Sequence, residues 1–275
     1  MLRIFVDSGS SIKQSEKEKY NVEIIPLKIT LGEEEFLDGV DLTMEYFYDK
    51  LINQNIFPKT SLPQIDILKE KVEQYTAQGD EVLIITISSE ISGTYNAIRL
   101  SLEGNEKVRV VDSRLAVGGI RILVDEANRY RDQPIDVIVQ KLQTLIPKIR
   151  ILATPETLDY LLKGGRLSKQ EWLMGSLLHI KPVIGFKDGK VTVLAKKLGQ
   201  GKVLKFLATC LDEFECDENY DIIASYTYNK GNIDKLVKVT NTKYHSQIRV
   251  YDDLDPAIAC HWGPNAFGYI FVSKN

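Results

Sequence analysis

Short β-branched runs alternate with longer amphipathic stretches through the first half of the chain. Residues 2–6, 82–87 and 108–111 are nearly continuous apolar runs and read as strands covered on both faces. Residues 22–31 form a further strand region broken at Pro26, and 33–36 are expected to pair with it through a turn at Gly32. Helical periodicity is expected from Asp41 through Leu51, over 64–78, after Ala97, over 115–131 and over 134–146, where Pro134 sits at the favoured first turn. Strands that alternate with helices imply a mostly parallel sheet. Residues 57–63 should be extended, because Pro58 and Pro63 disfavour helix at and just before their own positions.

Around Ile151 and Leu152 the pattern changes. We therefore expect an N-terminal α/β domain over 1–152 and a smaller α/β domain over 153–275. In the second domain, 155–162 reads as a short helix and 172–178 as a strongly apolar helical segment. Residues 182–186 and 190–194 flank Asp188-Gly189, the strongest short hairpin signal in the chain. A helix over 201–214, a strand over 221–226, a helix over 233–240 and strands over 247–251 and 268–272 complete the expectation.

Composition narrows the function classes. At 275 residues with 44% hydrophobic and 27% charged positions, the chain has the profile of an ordinary globular protein with room for two cores. A net charge of −3 does not suggest nucleic acid or an anionic membrane as partner. No apolar run is long enough to span a bilayer, and the first residues read as a strand rather than a signal peptide. Cys210, Cys216 and Cys260 are odd in number and show no CxxC spacing, so no zinc site or other metal centre is expected, and a cytoplasmic location fits.

Candidate chemistry gathers at strand ends. Ser88-Ser89-Glu90-Ile91-Ser92-Gly93-Thr94-Tyr95-Asn96 lies where a strand passes into a helix, and unpaired N–H groups there favour an anion. Ser92 or Thr94 acting simply as a helix cap fits the same segment. The triplet Val-Asp-Ser ends two strands, at Val6 and at Val111, which suggests similar turns side by side at one sheet edge. Lys163-Gly164-Gly165-Arg166 could hold a phosphate or carboxylate, or stop a helix. Of the three histidines, His179 reads as packed or capping and His245 as solvated. His261 precedes Gly263-Pro264, which would hold its imidazole at a rigid turn. Neither GxGxxG nor GxxxxGK[ST] occurs where a nucleotide would need it.

A serine esterase using Ser92 and His261 is the enzymatic alternative. The nucleophile elbow GxSxG is absent, since Glu90 and Thr94 occupy its glycine positions. Cys260 beside His261 adds nothing if both lie on a strand, where neighbours point to opposite faces. A sugar- or phosphate-binding protein built on Gly164-Gly165-Arg166 is a third possibility.

Taken together the motifs resemble those of the DegV family, bacterial fatty-acid-binding subunits that serve a fatty acid kinase. Val6-Asp7-Ser8, Lys59-Thr60-Ser61-Leu62-Pro63, Ser88 to Tyr95, Val111-Asp112-Ser113, Leu161 to Leu167 and His261-Trp262-Gly263-Pro264 match its segments in order, over nearly the whole length. The resemblance implies a non-catalytic lipid-transport protein without cofactor. One long-chain fatty acid, such as palmitate or oleate, would lie in an apolar tunnel between the two domains. Its carboxylate would be held by Thr60, Ser92 and His261 with the backbone at Gly93 and Thr94, supported by Ser61, Ser113, Gly165 and Arg166. A separate kinase subunit would convert it to an acyl phosphate for phospholipid synthesis. Apart from the resemblance, the local positive charge of Arg166, Lys196 and Lys197 suggests a basic surface that contributes to docking that subunit. The chain departs from the family pattern at Ser11-Ile12, where an acidic residue and leucine are common, and at Asn265, where glycine is usual. Asparagine tolerates a positive φ, so the second turn is expected to survive.

Overall fold

The computed structural model describes residues 1–175 and 180–274. His179 and the end of the expected apolar helix, 176–178, lie outside the described residues. The contacts divide the chain into two units, Met1–Pro147 with Asp255–Ala257, and Lys148–Leu254 with Ile258–Asn275. The boundary expected at 152 falls inside a strand of the second unit, because 149–154 pairs with the last strand of the chain.

The first unit is built on β1 (Leu2–Asp7), β2 (Glu23–Ile25), β3 (Lys28–Leu31), β4 (Glu34–Leu37), β5 (Lys59–Ser61), β6 (Glu81–Thr86) and β7 (Val108–Asp112). Its helices are α1 (Lys17–Tyr20), α2 (Met44–Tyr48), α3 (Ile65–Ala77), α4 (Thr94–Ser101), α5 (Gly118–Arg129) and α6 (Ile135–Leu145). A four-stranded parallel sheet runs β2-β1-β6-β7. Alternate residues of the central strands serve opposite faces: Phe5, Val82 and Ile84 pack with Leu68 and Val72 of α3 and Ile98 of α4. Ile4, Leu83 and Ile85 are just as buried on the other face, where α5 and α6 approach β6 and β7. Double coverage explains why these strands read as unbroken apolar runs rather than alternating ones.

A second, antiparallel sheet, β4-β3-β5, carries the Gly32 turn as expected and adds 59–61 as a strand, with Ile29 opposite Thr60. The helix expected from 115 begins only at Gly118. The preceding residues form a turn in which the Val117 amide donates to Gly9 O at 2.7 Å.

The second unit contains β8 (Ile149–Thr154), β9 (Ile180–Lys187), β10 (Lys190–Leu198), β11 (Ile222–Tyr226), β12 (Ile248–Asp253) and β13 (Phe267–Val272). They form one mixed sheet in the order β10-β9-β8-β13-β11-β12. Its helices are α7 (Asp159–Lys163), α8 (Lys169–Gly175), α9 (Gln200–Glu213), α10 (Gly231–Val239) and α11 (Pro256–Trp262), of which Pro256 and Ala257 belong to the first unit. Val203, Leu207 and Leu211 of α9 and Ile233 and Leu236 of α10 pack on Leu152, Ala224, Phe267 and Phe271. The β9–β10 hairpin turns at Asp188 (φ 52°) and Gly189 (φ 80°), the paired positive φ values of a type I′ turn. Among the described residues no helix is long and apolar enough to cross a membrane.

Candidate functional site

In the first unit β1, β6 and β7 run parallel, so the loops that follow them share the carboxyl edge of the sheet. The two Val-Asp-Ser turns do not lie beside each other as expected, because β6 separates their strands. They flank the loop after β6 instead and hold it from both sides. Asp7 Oδ2 accepts the Ile87 amide at 2.7 Å, while its Oδ1 accepts the Gly9 amide at 2.9 Å. From the other side Asp112 Oδ1 accepts the Ser89 amide at 3.0 Å and Oδ2 accepts the Ser89 hydroxyl at 2.5 Å. The loop is thereby fixed at two points two residues apart.

Beyond Ser89 the chain turns on itself. The Ser88 carbonyl accepts both the Ile91 and Ser92 amides, at 3.2 and 3.1 Å. This delivers a half-buried Ser92, an exposed Gly93 and a buried Thr94 to the start of α4. Ser92 Oγ lies 2.9 Å from Thr94 Oγ1 and accepts the Thr94 amide at 3.3 Å. The capping reading is thus met in part, with Gly93 as the cap residue and the Ser92 hydroxyl on the first helical amide. These bonds of Ser92 join it to Thr94, with no imidazole base among them.

The extended 57–63 segment reaches the same loop. A Cβ on Gly93 would stand 3.4 Å from Leu62 Cδ2, so the stretch carrying Thr60 packs directly beside the turn carrying Ser92. Thr60 is half-buried and Ser61 exposed on β5. Ser113 is fully buried and turns inward: its hydroxyl donates to Leu115 O at 3.2 Å and accepts the Leu115 amide at 3.1 Å.

Burial without a cation pushes the Asp7 carboxyl up to about 7, although the Ile87 and Gly9 amides pull it down. Asp38 is likewise raised to about 7, by burial and by the neighbouring Asp255, which in turn pairs with Lys13.

In the second unit the Gly-Gly and His-x-Gly-Pro motifs are two halves of one packing arrangement. α7 ends in a turn in which the Arg166 and Leu167 amides return to Leu161 O at 2.9 and 3.2 Å, with Gly165 at φ 73°. α11 ends in the same manner, Gly263 at φ 70° donating its amide to Ala259 O at 2.9 Å. A Cβ on Gly164 would stand 2.2 Å from His261 Nδ1, and one on Gly263 would stand 2.3 Å from the Tyr160 ring. The imidazole therefore occupies the space left by one glycine, and the phenol the space left by the other.

Thr227 ties the turn down. Its hydroxyl donates to Gly263 O at 2.7 Å and accepts the Ala266 amide at 2.9 Å. Asn265 adopts φ 62° and donates to Glu156 Oε2 at 2.6 Å, so asparagine in place of the usual glycine leaves the turn formed. Cys260 and His261 are consecutive residues of a helix, not of a strand as expected. Positions one apart on a helix point about 100° apart, so the strand argument about their faces does not apply. Burial and the nearby Arg166 guanidinium lower the His261 pKa to about 3. The ring is neutral at physiological pH and offers one N–H donor and one acceptor. Arg166 is half-buried and its guanidinium donates to Gly164 O.

The remaining candidates behave differently. His245 is exposed, with its Nε2 3.1 Å from the carbonyl oxygens of Val237 and Thr240 at the end of α10. Lys196 and Lys197 are consecutive on β10 and so point to opposite faces. Lys196 is exposed, while the Lys197 ammonium lies 3.8 Å from the centre of the Phe206 ring. Sequence reasoning missed four residues. The repeated triplet was the available signal for Asp7 and Asp112 as anchors. Nothing local distinguishes Tyr160 or Thr227.

The family model described as uncharacterised protein, DegV family, matches residues 1–274. The chain belongs to the DegV family. A DegV domain-containing protein of Staphylococcus aureus is 30% identical over 275 residues, 98% of each chain. Among solved structures, a fatty acid binding DegV family protein from Streptococcus agalactiae superposes with a TM-score of 0.89 at 28% identity, over 100% of this chain and 99% of that one. A fatty acid (stearic acid)-binding protein from Eubacterium ventriosum gives 0.86 at 28% identity with the same coverage. In this DegV chain five of the six motifs run from the end of a strand or helix into the turn beside it, or from a turn into the start of a helix. The sixth, around His261, closes a helix.

Proposed function

We propose that this DegV protein is a non-catalytic carrier of one long-chain fatty acid, and that it presents the carboxylate to a separate kinase subunit. The observation that carries the reading is the Ser92–Thr94 turn, clamped by Asp7 and Asp112 and packed against the Thr60 segment. A carboxylate withdrawn from water must be hydrogen-bonded to stay ionised. The Ser92 and Thr60 hydroxyls and the Gly93 amide are donors suited to it, and the neutral His261 ring adds an N–H. The acyl tail supplies most of the affinity, at about 0.8 kcal/mol per buried CH₂. Structural relatives described as fatty-acid-binding support the ligand class. The kinase partner, the acyl phosphate product and a cytoplasmic setting are parts of the same proposal.

Purified protein, denatured and extracted, should release stoichiometric fatty acid by mass spectrometry, and delipidated protein should take up oleate or palmitate. Failure of both abolishes the proposal. Ser92→Ala and Thr60→Val should each weaken oleate binding about tenfold, as for the loss of one charge-assisted hydrogen bond. With a fatty acid kinase and ATP, bound lipid should become hydroxylamine-reactive. Because Lys197 is engaged with Phe206, charge reversal at Lys196 should slow that reaction more than reversal at Lys197, with lipid content unchanged. Rates unchanged from wild type in both variants would remove β10 from the docking surface.

A further inference from the structure

The first turn of α11 belongs to the first unit, while His261 near its other end belongs to the second. That first turn is seated by a carboxyl from far along the chain. Asp38, just after β4, is fully buried, and its Oδ1 accepts the Ala257 amide at 3.2 Å across 219 positions of sequence. The amide is one of the donors that a helix start leaves without an internal partner, and Pro256 before it has no N–H at all.

The charges around this seat do not cancel with every group ionised. Lys13 bonds Asp255 Oδ1 through its ammonium, and Arg121 of α5 pairs with Glu16 at 3.3 Å. Arg121 also donates to Ser11 O at 2.7 Å and to the Tyr20 hydroxyl at 3.2 Å. Ser8 brings only a hydroxyl, which accepts the Leu27 amide at 3.1 Å. Two cations thus face three carboxyls: Asp38, Asp255 and Glu16. Asp38 is the one that no cation bonds among the described residues, and its Oδ2 has no hydrogen-bond partner there. A proton on Oδ2 balances the cluster and leaves Oδ1 to accept the amide. Without that proton two buried carboxylates repel each other. Asp255 lies two residues before Ala257, so the repulsion acts on the very segment that Asp38 holds.

We propose that protonated Asp38 is a positioning residue for His261, and that loss of its proton loosens the start of α11 and weakens fatty acid binding. This rests on the carrier reading above, in which His261 donates to the bound carboxylate. Ala257 and His261 are four residues apart, about 6 Å along the helix axis, so a displaced first turn displaces the imidazole. Burial and the neighbouring Asp255 raise the Asp38 carboxyl to about 7, against the pull of Ser8, the Ala257 amide and Lys13. If the protonated form is the one that binds, apparent affinity follows its fraction and falls about tenfold from pH 6 to pH 8.

The test is oleate binding to the delipidated full chain from pH 5.5 to 8.5, for wild type, Asp38→Asn and Asp38→Ala. Titration of oleate itself is common to all three and cancels in the comparison. Asp38→Asn keeps the acceptor without a titrating proton, so it should match wild type at pH 6 and bind about tenfold more tightly at pH 8. Asp38→Ala should bind about tenfold more weakly than Asp38→Asn at both values. In a His261→Gln background both changes should alter affinity less than about twofold, because Asp38 acts through the imidazole. Parallel pH profiles for wild type and Asp38→Asn overturn the proposal, and this comparison serves if Asp38→Ala misfolds. Full additivity with His261→Gln overturns it as well. Wild-type protein that takes up no oleate at any pH defeats the carrier reading itself, and this proposal with it.

Discussion

The loop after β6 and the turn after α11 carry the two strongest motifs of the chain, and they are held by opposite kinds of force. The first is anchored by hydrogen bonds: two aspartate side chains receive the amides of Ile87 and Ser89 and leave Ser92 at the end of a fixed lever. The second is anchored by shape: two glycines leave room for an imidazole and a phenol, and one threonine hydroxyl closes the turn. A loop held by titratable acceptors answers to pH and to isosteric changes of those acceptors. A turn held by volume answers to a single methyl group.

The largest effect should therefore come from Gly263→Ala. A methyl there meets the Tyr160 ring at 2.3 Å and must also adopt φ 70°. Left-handed backbone costs about 1–2 kcal/mol and overpacking about 1–3, so urea denaturation should show a loss of roughly 3 kcal/mol. A loss below about 1 kcal/mol would mean that the turn is not volume-limited. Asp112→Ala comes next. It orphans the Ser89 and Arg114 amides, and charged hydrogen bonds of this kind are worth about 1.5–3 kcal/mol. Stability should fall by about 2 kcal/mol, with bound lipid reduced; unchanged lipid content would show that the loop holds its form without the clamp.

The two regions should also respond to pH with opposite sign. Asp7 titrates near 7 in the fold but near 4 when unfolded, so the folded state binds the extra proton between those values. Stability from this group is full below about pH 4 and falls as pH rises through 7. Asp38 adds to the same limb, and Asp38→Asn should flatten it. His261 has its pKa lowered to about 3, so below about 6.5 the unfolded chain takes a proton that the fold refuses. Its contribution is lost as pH falls, and His261→Gln should flatten the acid limb. Tm measured on delipidated protein from pH 4 to 8 reads both limbs; a wild-type profile that neither variant alters would refute the assignment. The smallest effect on the fold should be that of Ser92→Ala, below about 0.5 kcal/mol by the same denaturation. Among the described residues its hydroxyl bonds to Thr94, within a turn already secured by the Ser88 carbonyl.

The sequence by itself determined the elements, the parallel character of the first sheet and the identity of the motif residues. Periodicity, the Gly32 and Asp188-Gly189 turns and the fit of Asn265 to a positive φ are local properties, set within a few residues by steric and burial preferences. Where the reading failed, the deciding partner was distant in sequence. Thr227 and Tyr160 act on a turn whose glycine is Gly263, and no pattern near them announces it. The two Val-Asp-Ser turns were legible as a repeat, but their work was not, because strand order put β6 between them. The loop after β6 was visible as an anion cradle from its composition alone. Only the tertiary structure decided that both of its flanking aspartates point inward to hold it, since burying a carboxylate is tolerable where folding brings amides to meet it.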